Sequence, residues 1–196
     1  MRGAGFLAIW SDVAAHDLTD YRHWLTREHT TERVTTKGFL ASRFFRAVRD
    51  DINRFFILYE LESEAALTSA AYLARLNNPT PWSRKMMPHH RNMVRGLCRV
   101  EASSGTALGL ALLTVRSWSA TTLDLAALAS RKGIVAAHLL RAIGEPPPQT
   151  AEQKLRGGDA SPDVVALVTG YHEAAVQAAA LAGATVGLYR LAYILS

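Results

Sequence analysis

Short apolar runs, bounded by polar or turn-forming residues, recur along the chain. Phe6 to Trp10, Phe39 to Val48 and Phe55 to Leu61 are three of them, and the last is apolar at every position but Glu60. Runs of this length read as strands. Within the third, Phe55, Ile57, Tyr59 and Leu61 share one face while Phe56 and Leu58 share the other. Leu18 to about Val34 carries Leu18, Tyr21 and Leu25 at helical spacing, Glu64 to Leu76 reads as a second helix, and Leu97 to Ala102 as a closing strand. The order predicted is βαββαβ.

Three segments of this first half return later in the same order. The ten residues from Gly38 match the ten from Gly133, sharing Gly, Ala, Arg and Ala. Ser63-Glu-Ala-Ala resembles His172-Glu-Ala-Ala, and Gly96-Leu-Cys-Arg-Val matches Gly187-Leu-Tyr-Arg-Leu. Matches in register with one another point to two copies of one folding unit. The second copy then reads as strands Ala107 to Val115, Ile134 to Ile143, Val164 to Val168 and Leu188 to Leu195, with helices from about Leu123 to Ser130 and Glu173 to Leu181. The boundary falls between residues 1–103 and 104–196. The Pro- and Gly-rich segment from Gly144 to Pro162 reads as a loop, in place of the tight Arg49-Asp50-Asp51-Ile52-Asn53 turn of the first copy.

Strands apolar on both faces need cover on both. Helices cover one face; leaving the other wet costs about 25 cal/mol for each Å². The expected solution is α+β: tandem ferredoxin-like βαββαβ repeats packed sheet to sheet as a pseudo-dimeric α/β barrel.

Composition changes this picture little. The 196 residues are 49% hydrophobic and 20% charged, which supplies a core. The formal charge of +5 is spread over the chain, its one mild concentration being Arg84, Lys85, His89, His90, Arg91 and Arg95, so a nucleic-acid partner is not expected. Cys98 is alone and reads as a buried structural thiol in a reducing compartment. The apolar start is too short for a signal peptide, and the stretch from Ala174 to Leu195 is interrupted by Gln177, Gly183, Gly187 and Arg190. A cytoplasmic protein without a membrane span is expected.

Candidate chemistry gathers on the first helix, where the stripe of Leu18, Tyr21 and Leu25 continues into Glu28, His29 and Glu32. Such groups either line a cavity or mark the emergence of the helix into solvent. A His and a Glu at this spacing can share a metal, with His23, His89 and His90 as further ligands, but no His-Glu-x-x-His pattern is present and no metal is assigned. Phosphate-cradling Gly-rich loops and a nucleophile elbow are absent as well, so no cofactor is assigned. Trp82 between prolines, with Met86 and Met87 beyond, reads either as an apolar lid or as a surface segment anchored by one ring.

The run Tyr21-x-x-Trp24-x-x-x-Glu28-His29-x-x-Glu32-Arg33, with Gly38-Phe39 and Arg43 after it, resembles the helix-then-strand signature of the dimeric α/β-barrel superfamily, particularly EthD-like and related uncharacterised bacterial proteins. Tyr59-Glu60-Leu61, Tyr72 and Asn78-Pro79-Thr80-Pro81-Trp82 are similar to the same relatives. The resemblance implies a small hydrophobic organic ligand between the first helix and the sheet, near Trp24, His29, Arg43 and Tyr59, and the lid reading adds Trp82 to the ligand-binding residues. An enzyme of this kind would be a cofactor-independent monooxygenase or isomerase, with His29 as acid or base, Arg43 stabilising an oxyanion, and Glu28 or Glu32 orienting the histidine. Two alternatives stand beside it. One is a non-catalytic assembly module that pairs with itself, as a homo-oligomer, or with another chain through the small-residue face of Ala174, Ala175, Ala178, Ala179 and Ala182. The other is haem binding through His29 or His89. The second copy has no counterpart of Glu28-His29-x-x-Glu32 and carries His138 in place of Arg43.

Overall fold

Alternation of inward and outward side chains sets eight strands in the computed structural model, which describes residues 1–49, 55–116, 123–143 and 149–196. They are β1 (Gly5–Asp12), β2 (Phe39–Ala47), β3 (Phe55–Leu61), β4 (Arg91–Ser104), β5 (Ala111–Arg116), β6 (Ile134–Ala142), β7 (Val164–Gly170) and β8 (Thr185–Leu195). All neighbouring pairs are antiparallel, and the ring closes in the order β1-β3-β2-β8-β5-β7-β6-β4.

This closure corrects the expected pair of ferredoxin-like α/β repeats packed sheet to sheet. There are not two stacked sheets but one continuous eight-stranded antiparallel barrel with few and mostly short helices. The seams are hydrogen-bonded: Ser42 to Ala47 of β2 against β8, and Cys98 to Ser104 of β4 against β6. Two stacked four-stranded sheets would leave four edges of unpaired N–H and C=O groups; a ring leaves none. The hydrophobic pattern records which faces are apolar and is silent on whether edges meet.

The barrel interior is filled with side chains, among them Phe6, Trp10, Phe45, Phe56, Leu58 and Tyr189, all essentially inaccessible. Trp10 satisfies its indole N–H by donating to Thr114 Oγ1 at 3.0 Å. Cys98 lies in this core, and burial pushes its thiol up to about 12, the state of a structural rather than reactive cysteine.

The predicted first helix is present, with a change of winding. α1 (Leu18–Trp24) passes through a π-helical turn, Leu25–His29, into α2 (Thr30–Val34). The predicted second helix is split: a 3₁₀ turn at Glu64–Thr68, then α3 (Ala70–Asn77), with the Ser69 hydroxyl accepting from the Tyr72 N–H. α4 (Pro81–Met86) follows, capped by Thr80 and begun by Pro81, a start signal that the sequence carries plainly. These elements cover the outer face of β1, β2 and β3 and bury Tyr21, Trp24, Tyr59 and Tyr72 between helix and sheet.

The second half is covered more thinly, by α5 (Leu125–Ala129) and α7 (Glu173–Gln177), over a wholly apolar layer that includes Leu113, Leu128, Val168 and Val176. The segment expected as a loop from Gly144 to Pro162 contains α6 (Ala151–Leu155), set by a Thr150/Gln153 capping box; residues 144–148 lie outside the described structure, as do 50–54 of the expected Arg49–Asn53 turn. Among the described residues, no helix is long and apolar enough to cross a membrane.

Candidate functional site

The π turn carries the central residue of the outer helix layer. Such a turn inserts an extra residue into the helical ladder, and here both its ends, Leu25 and His29, are buried. The His29 ring lies 4.5 Å from the Trp24 ring, and its Nδ1 is enclosed without a hydrogen-bond partner. Burial, reinforced by the Arg33 charge, holds the His29 pKa well below the ordinary imidazole value, so the ring is neutral at neutral pH.

One turn further, Arg33 is almost fully buried. Its Nη2 donates to Glu152 Oε1 of α6, and its Nη1 lies 3.5 Å from Glu32 Oε2. The guanidinium stands over the Tyr72 ring, 5.9 Å from its centroid. Burial opposes its charge, but Glu152, Tyr72, Tyr59 and Glu32 together outweigh burial, so Arg33 stays a cation. Burial pushes the Glu152 carboxyl up against the pull of Arg33. Tyr59, outward-facing on β3, is inaccessible, and burial keeps its phenol protonated.

Two buried polar atoms of this cluster, His29 Nδ1 and Tyr59 Oη, have no hydrogen-bond partner, and Arg33 Nη1 and Glu32 Oε2 have only their 3.5 Å ion contact with each other. Each orphaned buried group costs about 1–3 kcal/mol, and native interiors rarely carry several together. Some neighbouring polar groups are satisfied. His90 donates through Nδ1 to the Met87 carbonyl at 3.0 Å, which leaves Nε2 to accept from the Tyr21 hydroxyl at 3.1 Å. Arg95 donates to Tyr72 Oη at 3.0 Å.

A cleft of about 270 Å³ opens beside this cluster, between the π turn and the β2–β8 seam. Leu25, Phe44 and Tyr193 line it, and Tyr193 stacks on Phe44 with ring centroids 5.1 Å apart. The Tyr193 hydroxyl shares a 2.7 Å hydrogen bond with Thr30 Oγ1, next in sequence to His29. Tyr193 thus ties the cleft wall to the helix at the residue after His29.

The residues singled out in the sequence fall in three places. His29, Tyr59 and Glu32 belong to the polar cluster, with Trp24 packed against His29. Glu28 faces away toward α4: its Oε1 accepts from Thr80 Oγ1 at 2.6 Å, Trp24 Nε1 at 3.2 Å and Ser83 Oγ at 3.3 Å, tying the two helices together. Trp82 is half-buried, its ring 5.4 Å from that of His23, and packs against the core from α4.

Arg43 is on the opposite side of the sheet from Tyr59. Its strand partner is Leu58, an interior residue, and its Nε donates to the buried Glu60 at 2.8 Å. Sequence reasoning gave no role to Arg33, Glu152 or Tyr193. Arg33 stood inside the quoted motif, whereas Glu152 and Tyr193 arrive from the second half with no local signal.

Donor atoms of His29, Glu32 and Glu152 lie within 4.8 Å of one another, an arrangement of metal-binding type. The Arg33 guanidinium already lies against both carboxylates and supplies the positive charge there. Of the two histidines considered for haem, His89 is engaged by Asp17 at 2.8 Å and His29 is enclosed against Trp24.

Fold and site together define a closed antiparallel barrel with a helix-covered cluster of buried polar groups on its outer face. Solved structures share that fold. An anthrone oxidase-like protein superposes with a TM-score of 0.59 at 11% identity, covering 100% of this chain and 93% of the other. An inferred monooxygenase from Fusobacterium nucleatum gives 0.56 at 12% identity, with coverages of 99% and 95%. Another from Lactobacillus acidophilus gives 0.55 at 10%, with coverages of 98% and 96%. At these identities the likeness extends to the fold alone. No protein-family model and no curated protein matches the chain.

Proposed function

We propose that this protein binds a small, largely apolar organic molecule in the cleft beside the first helix and transforms it by proton transfer, without a nucleotide cofactor. The observation that supports the reading is a pair of buried atoms without a partner, His29 Nδ1 and Tyr59 Oη, together with the loosely held Arg33–Glu32 ion pair, near a mainly apolar cleft. Their chemistry is complementary to a carbonyl compound with an acidic neighbouring C–H. Neutral His29 accepts the proton through Nδ1, and the electron pair left on carbon delocalises onto the carbonyl oxygen. Arg33 Nη1 and the Tyr59 hydroxyl are the donors for that oxyanion.

The carbanion has two fates: return of the proton at another carbon, an isomerisation, or loss of electrons to dioxygen, an oxidation. The likeness to an anthrone oxidase-like protein supports the second and supplies a probe. Anthrone should be consumed with dioxygen uptake above the buffer rate, saturably, and the rate should fall at least about 100-fold in His29→Gln and about 10-fold in Tyr59→Phe. Unchanged rates in both variants would remove these residues from the chemistry. Neither binding nor turnover of anthrone or related polycyclic ketones would remove the reading itself.

A further inference from the structure

The cleft is apolar along its walls and cationic at its rim. Arg22 and Arg46 line it together with Leu25, Phe44 and Tyr193. Arg22 Nε is buried without a hydrogen-bond partner, and the guanidinium stands 5.7 Å from the Phe55 ring centroid, held over an aromatic face rather than by a carboxylate. Arg46 is exposed, and directly opposite it across the β2–β8 seam is Arg190. Like charges facing each other across a strand pair destabilise it, and Arg190 alone is relieved, by Glu173 at 2.6 Å. Among the described residues no carboxylate lines the cleft and none pairs with Arg22 or Arg46.

An unpaired guanidinium with a dehydrated Nε, beside a second cation the sheet would be better without, is an arrangement that a bound anion completes. Resting on the reading of the cleft as the ligand site, we propose that its ligand is an aromatic carboxylate. The ring lies between Leu25 and the stacked Phe44 and Tyr193, and the carboxylate meets Arg22 and Arg46. Two coplanar acceptor oxygens match the donor fork of a guanidinium better than a single hydroxyl does. This assigns specificity to a pair of arginines distinct from Arg33, which faces the reacting oxygen.

The test is a titration of the intact protein with 2-naphthoate and with its neutral isostere 2-naphthamide, followed by naphthalene fluorescence. A charge-assisted hydrogen bond in a partly buried site corresponds to an affinity ratio of about 10 to 100. The naphthoate should therefore bind at least about 10-fold tighter, and its advantage should shrink with added salt. Arg46→Gln is a surface change and should remove part of the preference; Arg22→Gln with Arg46→Gln should abolish it while leaving weak binding of both compounds. Equal binding of acid and amide by the unaltered protein, or a preference that survives in the double variant, overturns the anion site and leaves the apolar cleft standing. Binding of neither compound overturns the cleft as a ligand site as well.

Discussion

Arg33 on the first helix and Glu152 on α6 form a buried ion pair between residues 119 positions apart in the chain. Through it the second half of the polypeptide reaches over the outer layer of the first and fixes the guanidinium among His29, Glu32 and Tyr72.

Removing one partner of such a pair is far worse than removing both. Glu152→Leu should cost about 3–5 kcal/mol by leaving Arg33 charged and dehydrated, whereas adding Arg33→Met to Glu152→Leu should recover a large share of that loss. Urea unfolding of the two single variants and the double variant measures the coupling directly. Additive losses would show that the pair contributes nothing beyond its separate side chains.

Acid should destabilise the protein before its carboxylates titrate. Burial brings both His90 and His138 down to about 4, from an ordinary value of 6.5. The unfolded chain therefore takes up these protons first, and stability present above pH 6.5 is lost as the pH falls toward 4, by about 3 kcal/mol for each ring. Denaturation midpoints between pH 7.5 and 4 should fall steeply. In His138→Gln the slope should be shallower, because one fewer buried ring has to charge.

Two glycines enter β2 and β6 in the left-handed region, Gly38 at φ +91° and Gly133 at φ +95°. A Cβ on Gly38 would stand 2.8 Å from the Ala66 Cβ, and one on Gly133 2.8 Å from the Ala175 Cβ. Strain and collision act together, so Gly38→Ala and Gly133→Ala should each lower stability by more than about 1 kcal/mol. Thermal melts compared with Gly157→Ala, also at positive φ but with open space around it, separate the collision from the strain.

The comparison of sequence with structure turns on parity and distance. Phe55 to Leu61 was legible to the residue, because its two faces are each apolar and both are buried. The first helix was legible from its stripe, but not its π turn, since backbone winding leaves no side-chain signature. The resemblance puts Arg43 near the same ligand as His29. Its strand parity sends it into the barrel toward Glu60, and parity across strands follows from register, which a single strand does not reveal. Glu152 was hidden for a simpler reason: an acidic residue in a Pro- and Gly-rich stretch has the look of solvent-facing surface until its partner is known.

The thin, wholly apolar layer over β5, β6 and β7 bears on how the molecule should saturate. Among the described residues of that layer nothing resembles the His29, Arg33 and Tyr59 constellation, so occupancy should reach one equivalent per polypeptide along a simple hyperbola, without any cooperative bend.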